Sequence, residues 1–198
     1  MTILVTGFEP FGGAEVNPSW EAVKLLPEEI GGANIVKALL PTTFHGAEER
    51  LLEEIQKWNP DGLISVGVAG GCREIHVERV AVNLRDARIP DNVGFQPVDM
   101  PVAEEGPAAY FATLPVKAMV EAIKEAGVPA AVSSSAGTFV CNDVMYTALH
   151  RGKVPVAGFV HVPLLPPEAA KKGEEGMELP EILRGLTVAV EAVARRET

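Results

Sequence analysis

The sequence predicts an α/β protein, built as a three-layer α/β/α sandwich around a mostly parallel, twisted central sheet. Short apolar, β-rich segments alternate along the chain with amphipathic segments of helical period, which is typical of strands joined by helices. Several of the apolar segments are almost uninterrupted, as expected for strands that are buried on both faces. With 198 residues and a hydrophobic fraction of 47%, we expect a single domain over residues 1–198.

The first strand is predicted at residues 2–6, a short β-rich run that ends at Gly7. Asn17 and Pro18 then open a helix, because Asn suits the N-cap and Pro the first helical position. Further strands are predicted at residues 35–40, 61–68, 75–84, 129–134 and 154–162, and further helices at 46–58, 115–126, 142–151 and around the apolar stripe Leu183, Leu186, Val190 and Val193. Residues 86–107 are rich in Pro, Asp and Asn, and we expect them to form a hairpin or a functional flap.

The charge of the chain excludes two classes of partner. A net charge of -10 argues against nucleic acid, which requires clustered Lys and Arg, and it disfavours anionic membrane surfaces.

No apolar run is long enough to span a bilayer, and the amino-terminal residues have no basic start typical of a signal peptide. The two cysteines are far apart, so no metal knuckle or disulfide scaffold is indicated. We therefore expect a protein of the reducing cytoplasm.

Cys141 is the strongest candidate for a reactive side chain. It follows a strand of small residues and a Gly turn, and it precedes a helical segment that stops at Gly152. Unpaired backbone N–H groups and the positive end of the helix dipole favour the thiolate, which is the nucleophilic form. Asp143 is expected to oppose this effect partly. The alternative is a small, buried apolar side chain, which is the usual place of a free cysteine.

A thiolate nucleophile requires a base, and His161 is the best placed of the four histidines. It interrupts a nearly all-apolar strand close to its carboxyl end, the edge at which open α/β sheets bind ligands. Cys141 is expected to follow a strand at the same edge. His45, His76 and His150 lie at element ends that give them no such position. The alternative for His161 is a core histidine with satisfied hydrogen bonds.

Glu78 is the candidate for the group that orients the base. It lies inside a strand-like run, and a buried carboxylate is costly unless it is paired. A protonated His161 would supply the partner. Two alternatives stay open, namely an outward-facing position on a half-exposed strand and an ion pair with Arg79.

The loop at residues 7–13 resembles a phosphate-binding loop only superficially. Gly7 and Gly12 have the outer spacing of a P-loop, but Gly13 stands where the Lys should be, and no GxGxxG pattern is present. Phe8 and Phe11 instead suggest the apolar wall of a pocket. An α/β protein that binds phosphate or nucleosides through this loop is kept as the alternative function.

Several ordered segments together resemble the family of type I pyroglutamyl peptidases. They are residues 5–13, 17–20, 67–71, 78–83, 86–92, 135–142 and 158–163. The resemblance implies a cysteine exopeptidase that removes an N-terminal pyroglutamyl residue from peptides through a thiol acyl-enzyme. The family's Glu–Cys–His triad falls on Glu78, Cys141 and His161. The resemblance further implies an α/β/α fold, no metal or cofactor, a cytoplasmic location and, often, a homotetramer.

The family's pocket positions match Phe8, Phe11, Asn17 and Phe139. Phe11 and Phe139 would sandwich the flat lactam ring, and the region of Asn17 would supply hydrogen bonds. The alternative for Asn17 is helix capping alone. Val68 belongs to the same pocket but stands where some members have Gln.

Two further positions bear on the chemistry. Arg88 matches an Arg of the family and is a candidate for stabilising an oxyanion, as are backbone N–H groups near Cys141. Cys72 stands where many members have Arg. A packed or merely oxidisable residue is the preferred interpretation of Cys72, with a second reactive thiol as the alternative.

Overall fold

Residues 1–195, which the computed structural model describes, form nine strands and six helices. The strands are β1 (Thr2–Phe8), β2 (Glu29–Ile30), β3 (Ala33–Leu40), β4 (Gly62–Val68), β5 (Ile75–Glu78), β6 (Val80–Val82), β7 (Ala109–Phe111), β8 (Ala130–Ser133) and β9 (Val156–Val162). The helices are α1 (Pro18–Val23), α2 (Phe44–Trp58), α3 (Val116–Glu125), α4 (Val140–His150), α5 (Pro166–Lys171) and α6 (Leu179–Ala194). The short elements β2, β7 and α5 were not predicted from the sequence.

Seven of the strands form the central sheet, in the order β2-β3-β1-β4-β9-β5-β8. The pairs β1–β3, β1–β4, β4–β9 and β5–β8 are parallel, whereas β2–β3 and β5–β9 are antiparallel. The prediction of a mostly parallel sheet is therefore confirmed. Cys141 follows β8, which like β5 runs antiparallel to β9. The carboxyl ends of β8 and β9 therefore lie at opposite edges of the sheet, and the expectation that they share one edge is wrong.

Apolar side chains on the two faces of the sheet form two separate clusters. Ile3 and Val5 face a cluster that includes residues of α1, α3 and α6. Leu4, which points the other way in the same strand, faces a cluster that includes residues of α2 and α4. The sheet thus lies between two helical layers, as predicted. In the described part of the chain, no helix combines the length and the apolar character that crossing a bilayer requires.

The strand predicted at residues 75–84 is in fact two strands that belong to different sheets. β5 ends at Glu78, and the N–H of Arg79 still donates to the carbonyl of Ser133 at 2.8 Å. The chain then leaves the central sheet, and β6 pairs with β7 in a two-stranded antiparallel sheet. The apolar pattern continues through both strands, so it does not mark the break.

The long polar segment at residues 86–107 folds back like an irregular hairpin, one of the two predicted forms. Arg85 and Met100 exchange both backbone hydrogen bonds at its base, at 2.7 and 3.0 Å. Asp91 holds its tip, because Oδ1 accepts from the N–H groups of residues 93 and 95 while Oδ2 accepts from the N–H of Phe44. Asp91 therefore caps α2 from a distant part of the chain, since the N-cap residue Thr43 makes no side-chain cap.

Candidate active site

A cavity of about 920 Å³ lies over the end of the sheet where β4 and β9 finish. Its lining combines residues that are far apart in the sequence. They include Cys141, His161, Glu78, Phe8, Phe11, Asn17, Val68, Arg88 and Phe139. All of the predicted catalytic and pocket residues therefore meet at one place.

Cys141 lies in the first turn of α4, which begins at Val140 and not at residue 142 as predicted. Its thiol is half-buried and faces the cavity. Asp143 is the first residue of the helix whose N–H is bonded back to the chain, to the carbonyl of Phe139 at 3.1 Å. The N–H groups of residues 140–142 have no partner within the helix, and they give the cavity a positive edge.

His161 and Glu78 form a buried pair beside this thiol. Nδ1 of His161 lies 2.8 Å from Oε1 of Glu78, and the two residues are only 6% and 1% exposed. Glu78 thus faces inward, and its partner is His161 and not Arg79, so both alternatives for Glu78 are wrong. Because Nδ1 is bonded to the carboxylate, Nε2 is the ring nitrogen that remains to exchange protons.

The surroundings of His161 favour its protonated form. Burial by itself lowers the pKa of the imidazole. The charge interaction and hydrogen bond with Cys141 oppose this effect, as does the hydrogen-bonded carboxylate of Glu78, and the pKa rises to about 9. At neutral pH the site is therefore suited to hold His161 as an imidazolium.

Asp143 does not act on the thiol as an unbalanced negative charge. Its carboxylate is fully buried, and Oδ1 accepts from Nε of Arg85 at 2.5 Å. Burial raises the pKa of Asp143 to about 6, against the opposing effect of Arg85. Arg85 also donates to Glu48 at 3.1 Å, so the charge of Asp143 belongs to a buried network behind Cys141. The expected opposition of Asp143 to the thiolate is correspondingly weakened.

Aromatic rings form one wall of the cavity. The centroids of Phe11 and Phe139 are 6.2 Å apart, and the ring planes make an angle of 37°. Phe44 packs edge-on against Phe139 at 5.3 Å and supports it from behind. Phe8 is buried below them and packs on Phe159 at 6.1 Å. The wall is thus an open pair of rings on a rigid aromatic base.

Asn17 caps α1 and lines the cavity at the same time. Oδ1 accepts from the N–H of Ser19 at 3.1 Å and from its hydroxyl at 2.8 Å, while Nδ2 donates to the carbonyl of Glu9 at 3.0 Å. These bonds explain the N-cap position fully. Since an amide carries two N–H groups, one of them is left for a ligand.

The two remaining pocket candidates, Val68 and Arg88, are also part of the lining. Val68 is half-buried at the end of β4, and Arg88 is exposed on the hairpin-like segment. Within residues 1–195 the guanidinium of Arg88 forms no ion pair, so it is free to face a negative group in the cavity.

Cys72 lies in a different environment from Cys141. It is not among the described residues that line the cavity, and its thiol donates to the carbonyl of Ala69 at 3.0 Å. Burial raises the pKa of Cys72 to about 11. The structure therefore favours the packed residue over a second reactive thiol.

The other histidines have different partners. His45 is exposed and packs on Phe95, and the ring of His150 is hydrogen-bonded to the hydroxyl of Tyr110 at 2.8 Å. His76 lines the cavity but lies 3.5 Å from Glu74, an exposed carboxylate. Between residues 1 and 195, no group of three or more His, Cys, Asp or Glu side chains is arranged to hold a metal ion.

Sequence reasoning missed several residues of the site. Thr42 and Ile89 line the cavity from loops, where no periodic pattern marks them. Gly67, whose register partner in β9 is His161, and Asn142, next to the nucleophile, also escaped notice as site residues. An Asn directly after a candidate nucleophile at a helix start was the one signal available, because such a side chain often bonds to nearby backbone.

Comparison with known proteins gives a consistent result. A profile described as pyroglutamyl peptidase matches residues 1–196. The chain is 55% identical to a pyrrolidone-carboxylate peptidase of Thermococcus kodakarensis, over 98% of this chain and 96% of that protein. It is 52% identical to a pyrrolidone-carboxylate peptidase of Pectobacterium carotovorum, over 96% and 91% of the two chains.

The fold agrees with a solved structure. The crystal structure of pyroglutamyl peptidase I from Bacillus amyloliquefaciens superposes with a TM-score of 0.94 at 45% sequence identity, covering 98% of this chain and 97% of that one. The alternative function, phosphate or nucleoside binding through residues 7–13, finds no support in these comparisons. The chain therefore belongs to the pyroglutamyl peptidase family, whose members are cysteine peptidases that remove an N-terminal pyroglutamyl residue from peptides.

Proposed function

We propose that Cys141, His161 and Glu78 act together as the catalytic triad for removal of N-terminal pyroglutamate from peptides. The observation that carries the proposal is the buried contact of 2.8 Å between Nδ1 of His161 and Oε1 of Glu78, with the thiol of Cys141 beside the same ring. This is the arrangement that an activated thiol requires, namely a nucleophile, a base and a group that orients the base.

In the proposed mechanism, the Cys141 sulfur attacks the pyroglutamyl carbonyl carbon as a thiolate, and the carbonyl oxygen becomes an oxyanion. Collapse of the tetrahedral intermediate breaks the C–N bond, and Nε2 of His161 gives its proton to the departing amine. A thioester to the pyroglutamyl group remains. Water then attacks it while Nε2 takes up a proton, which releases pyroglutamate and restores the thiolate and imidazolium. Glu78 holds the ring in position and stabilises its positive charge throughout.

The oxyanion is stabilised by backbone N–H groups at the start of α4. The N–H groups of residues 140–142 have no partner inside the helix, and they lie at the positive end of its dipole. Arg88 is a second candidate for this role because its guanidinium lines the same cavity.

The specificity is proposed to come from the ring pair Phe11 and Phe139. Carbon atoms in contact lie about 3.5 Å apart, so stacking on both faces of a lactam needs roughly 7 Å between the two rings. Their centroids are 6.2 Å apart, so we expect the two rings to separate slightly when the substrate enters. The free N–H of Asn17 is available to the lactam carbonyl, and Phe8 and Val68 complete the apolar surroundings.

Three further properties are proposed for the whole protein. Residues 1–198 act as one peptidase domain, without metal or cofactor. The enzyme works in the cytoplasm, where reducing conditions keep the Cys141 thiol usable. It assembles as a homotetramer, by analogy with the family.

Hydrolysis of a chromogenic pyroglutamyl amide tests the central proposal, with and without a thiol alkylator. Wild-type protein should release the chromophore, and alkylation or Cys141→Ser should abolish release. Cys72→Ser is the matched control and should retain both activity and sensitivity to the alkylator. Full hydrolysis by Cys141→Ser would remove Cys141 from the mechanism.

A further inference from the structure

A short segment that follows Glu78 is bonded to residues on both sides of Cys141. We call residues 82–86 the clamp segment. At one end, the N–H of Asp86 donates to the carbonyl of Thr138 at 3.1 Å, and the hydroxyl of Thr138 donates to the carbonyl of Asp86 at 2.7 Å. The clamp segment thus holds the chain just before Cys141.

Asn142 ties the clamp segment to the chain just after Cys141. Nδ2 donates to the carbonyls of Val82 and Leu84, at 2.9 and 3.1 Å, and Oδ1 accepts from the N–H of Val82 at 2.9 Å. Both N–H groups of the amide are used, and the side chain is fully buried. A bond network of this kind has one preferred geometry, because each lost bond leaves a buried polar group unpaired.

Cys141 therefore lies between two anchored residues, Thr138 and Asn142. The clamp segment to which both are bonded begins only four positions after Glu78, whose carboxylate holds the imidazole of His161. The nucleophile and its base are thereby connected through the chain independently of substrate. Such a connection matters because a displacement of about 1 Å in a reacting group can cost on the order of 10²-fold in rate.

We propose that Asn142 is a positioning residue that holds the Cys141 sulfur at the imidazole of His161. The proposal rests on the proposed catalytic role of Cys141 and goes beyond it, because Asn142 acts through its backbone partners and touches neither substrate nor base. Its removal should slow the chemical step and leave binding in the aromatic pocket largely unchanged.

Asn83 provides a matched control within the clamp segment itself. Its side chain also makes three bonds to backbone, two donated to the carbonyls of Ala103 and Gly106 and one accepted from the N–H of Ala103. These partners lie on the hairpin-like segment and not on α4. Removing the Asn83 side chain therefore costs the same number of bonds without releasing the nucleophile.

The experiment compares Asn142→Ala with Asn83→Ala by steady-state kinetics, by the rate of iodoacetamide alkylation at Cys141 and by thermal unfolding. Asn142→Ala should lower kcat about tenfold to a hundredfold while KM changes less than about threefold. Alkylation of Cys141 should slow as well. Asn83→Ala should lower the unfolding temperature comparably but leave kcat and alkylation near wild type.

A second variant guards against loss of folding. Asn142→Asp keeps the size of the side chain and the oxygen that accepts from Val82, so its kcat should lie between those of Asn142→Ala and wild type. Unchanged kcat in both Asn142 variants, or an equal loss in Asn83→Ala, would overturn the positioning role. Cys141→Ser distinguishes this failure from a failure of the proposed function. If only the positioning role of Asn142 is wrong, Cys141→Ser is inactive. If the proposed function of Cys141 is wrong, Cys141→Ser is still active.

Discussion

Gly67 lies directly against the sulfur of Cys141. A Cβ atom built on Gly67 would be 2.9 Å from Sγ of Cys141 and 2.7 Å from Cζ of Phe159, distances that real Cβ atoms essentially never show. Gly67 is in the centre of the sheet and has His161 as its register partner. The strand therefore approaches the nucleophile closely only because residue 67 has no side chain.

Gly67→Ala should displace the sulfur, because the added methyl group would overlap both Sγ of Cys141 and the ring of Phe159, and that ring is fully buried in the core. We expect kcat/KM to fall on the order of 10²-fold. The unfolding free energy should fall by about 1–3 kcal/mol, which is typical of an overpacked core. Kinetics with a pyroglutamyl amide and chemical denaturation measure the two effects.

Gly62→Ala on the same strand is the control for this substitution. Its added Cβ would have its nearest neighbour at 3.5 Å, an ordinary van der Waals contact, so activity and stability should change little. Equal kinetic losses in the two variants would show that any added methyl group in β4 impairs the enzyme.

The pH profile should report the protonation of His161. Its pKa is raised from 6.5 to about 9, so the imidazolium is present below that pH and is lost as the pH rises through it. The departing amine then lacks its proton donor, and kcat/KM should decline about tenfold per pH unit on the alkaline side. Initial rates between neutral and strongly alkaline pH test this, with unfolding followed in parallel.

Glu78→Gln identifies the group that titrates. The carboxylate of Glu78 is one of the causes that raise the pKa of His161, so its neutralisation should move the alkaline limb to lower pH and lower the rate. If the alkaline limb of the pH profile stays in place in this variant, the group that titrates there is not His161.

Phe139→Ala should weaken substrate binding more than the chemical step. The ring faces Phe11 across the pocket, and burial of one aromatic face is expected to contribute about 1.5 kcal/mol, so KM should rise roughly tenfold. Phe95→Ala is the control, since Phe95 packs on Phe44 at 5.8 Å but is outside the described lining of the cavity. Unchanged kcat/KM in Phe139→Ala would contradict the ring sandwich.

Alkylation near neutral pH should be selective for Cys141. Burial raises the pKa of Cys72 to about 11, which leaves it as the unreactive thiol. One alkyl group per chain should therefore abolish activity, and Cys72→Ala should keep kcat/KM within about twofold of wild type because the residue lies outside the site. Mass spectrometry of the labelled peptides identifies the cysteine that carries the alkyl group. Rapid labelling of Cys72 would contradict the prediction and show that its thiol is more accessible than its burial indicates.

Local patterns in the sequence predicted most of the elements and marked the residues that we propose to be reactive. The apolar run at residues 154–162 predicted a strand, which the structure shows at Val156–Val162, and the polar His161 within it stood out for that reason. The small-residue turn before Cys141 likewise predicted a helix start, which is the setting of a reactive thiol. Such features depend on neighbours in sequence and can be interpreted from composition and spacing.

Contacts between distant parts of the chain could not be predicted in this way. The direction of β8 and the departure of β6 from the central sheet depend on how the strands pair in the folded protein. The close approach of Gly67 to Cys141 and the hydrogen bonds of Asn142 bring together residues that are roughly 60–75 positions apart in the sequence. No periodic pattern in the sequence predicts such contacts. The sequence by itself determined which residues are candidates for reaction, because that inference depends on side-chain chemistry and local backbone. Only the tertiary structure decided how closely they meet, because that distance is set by packing across the whole sheet.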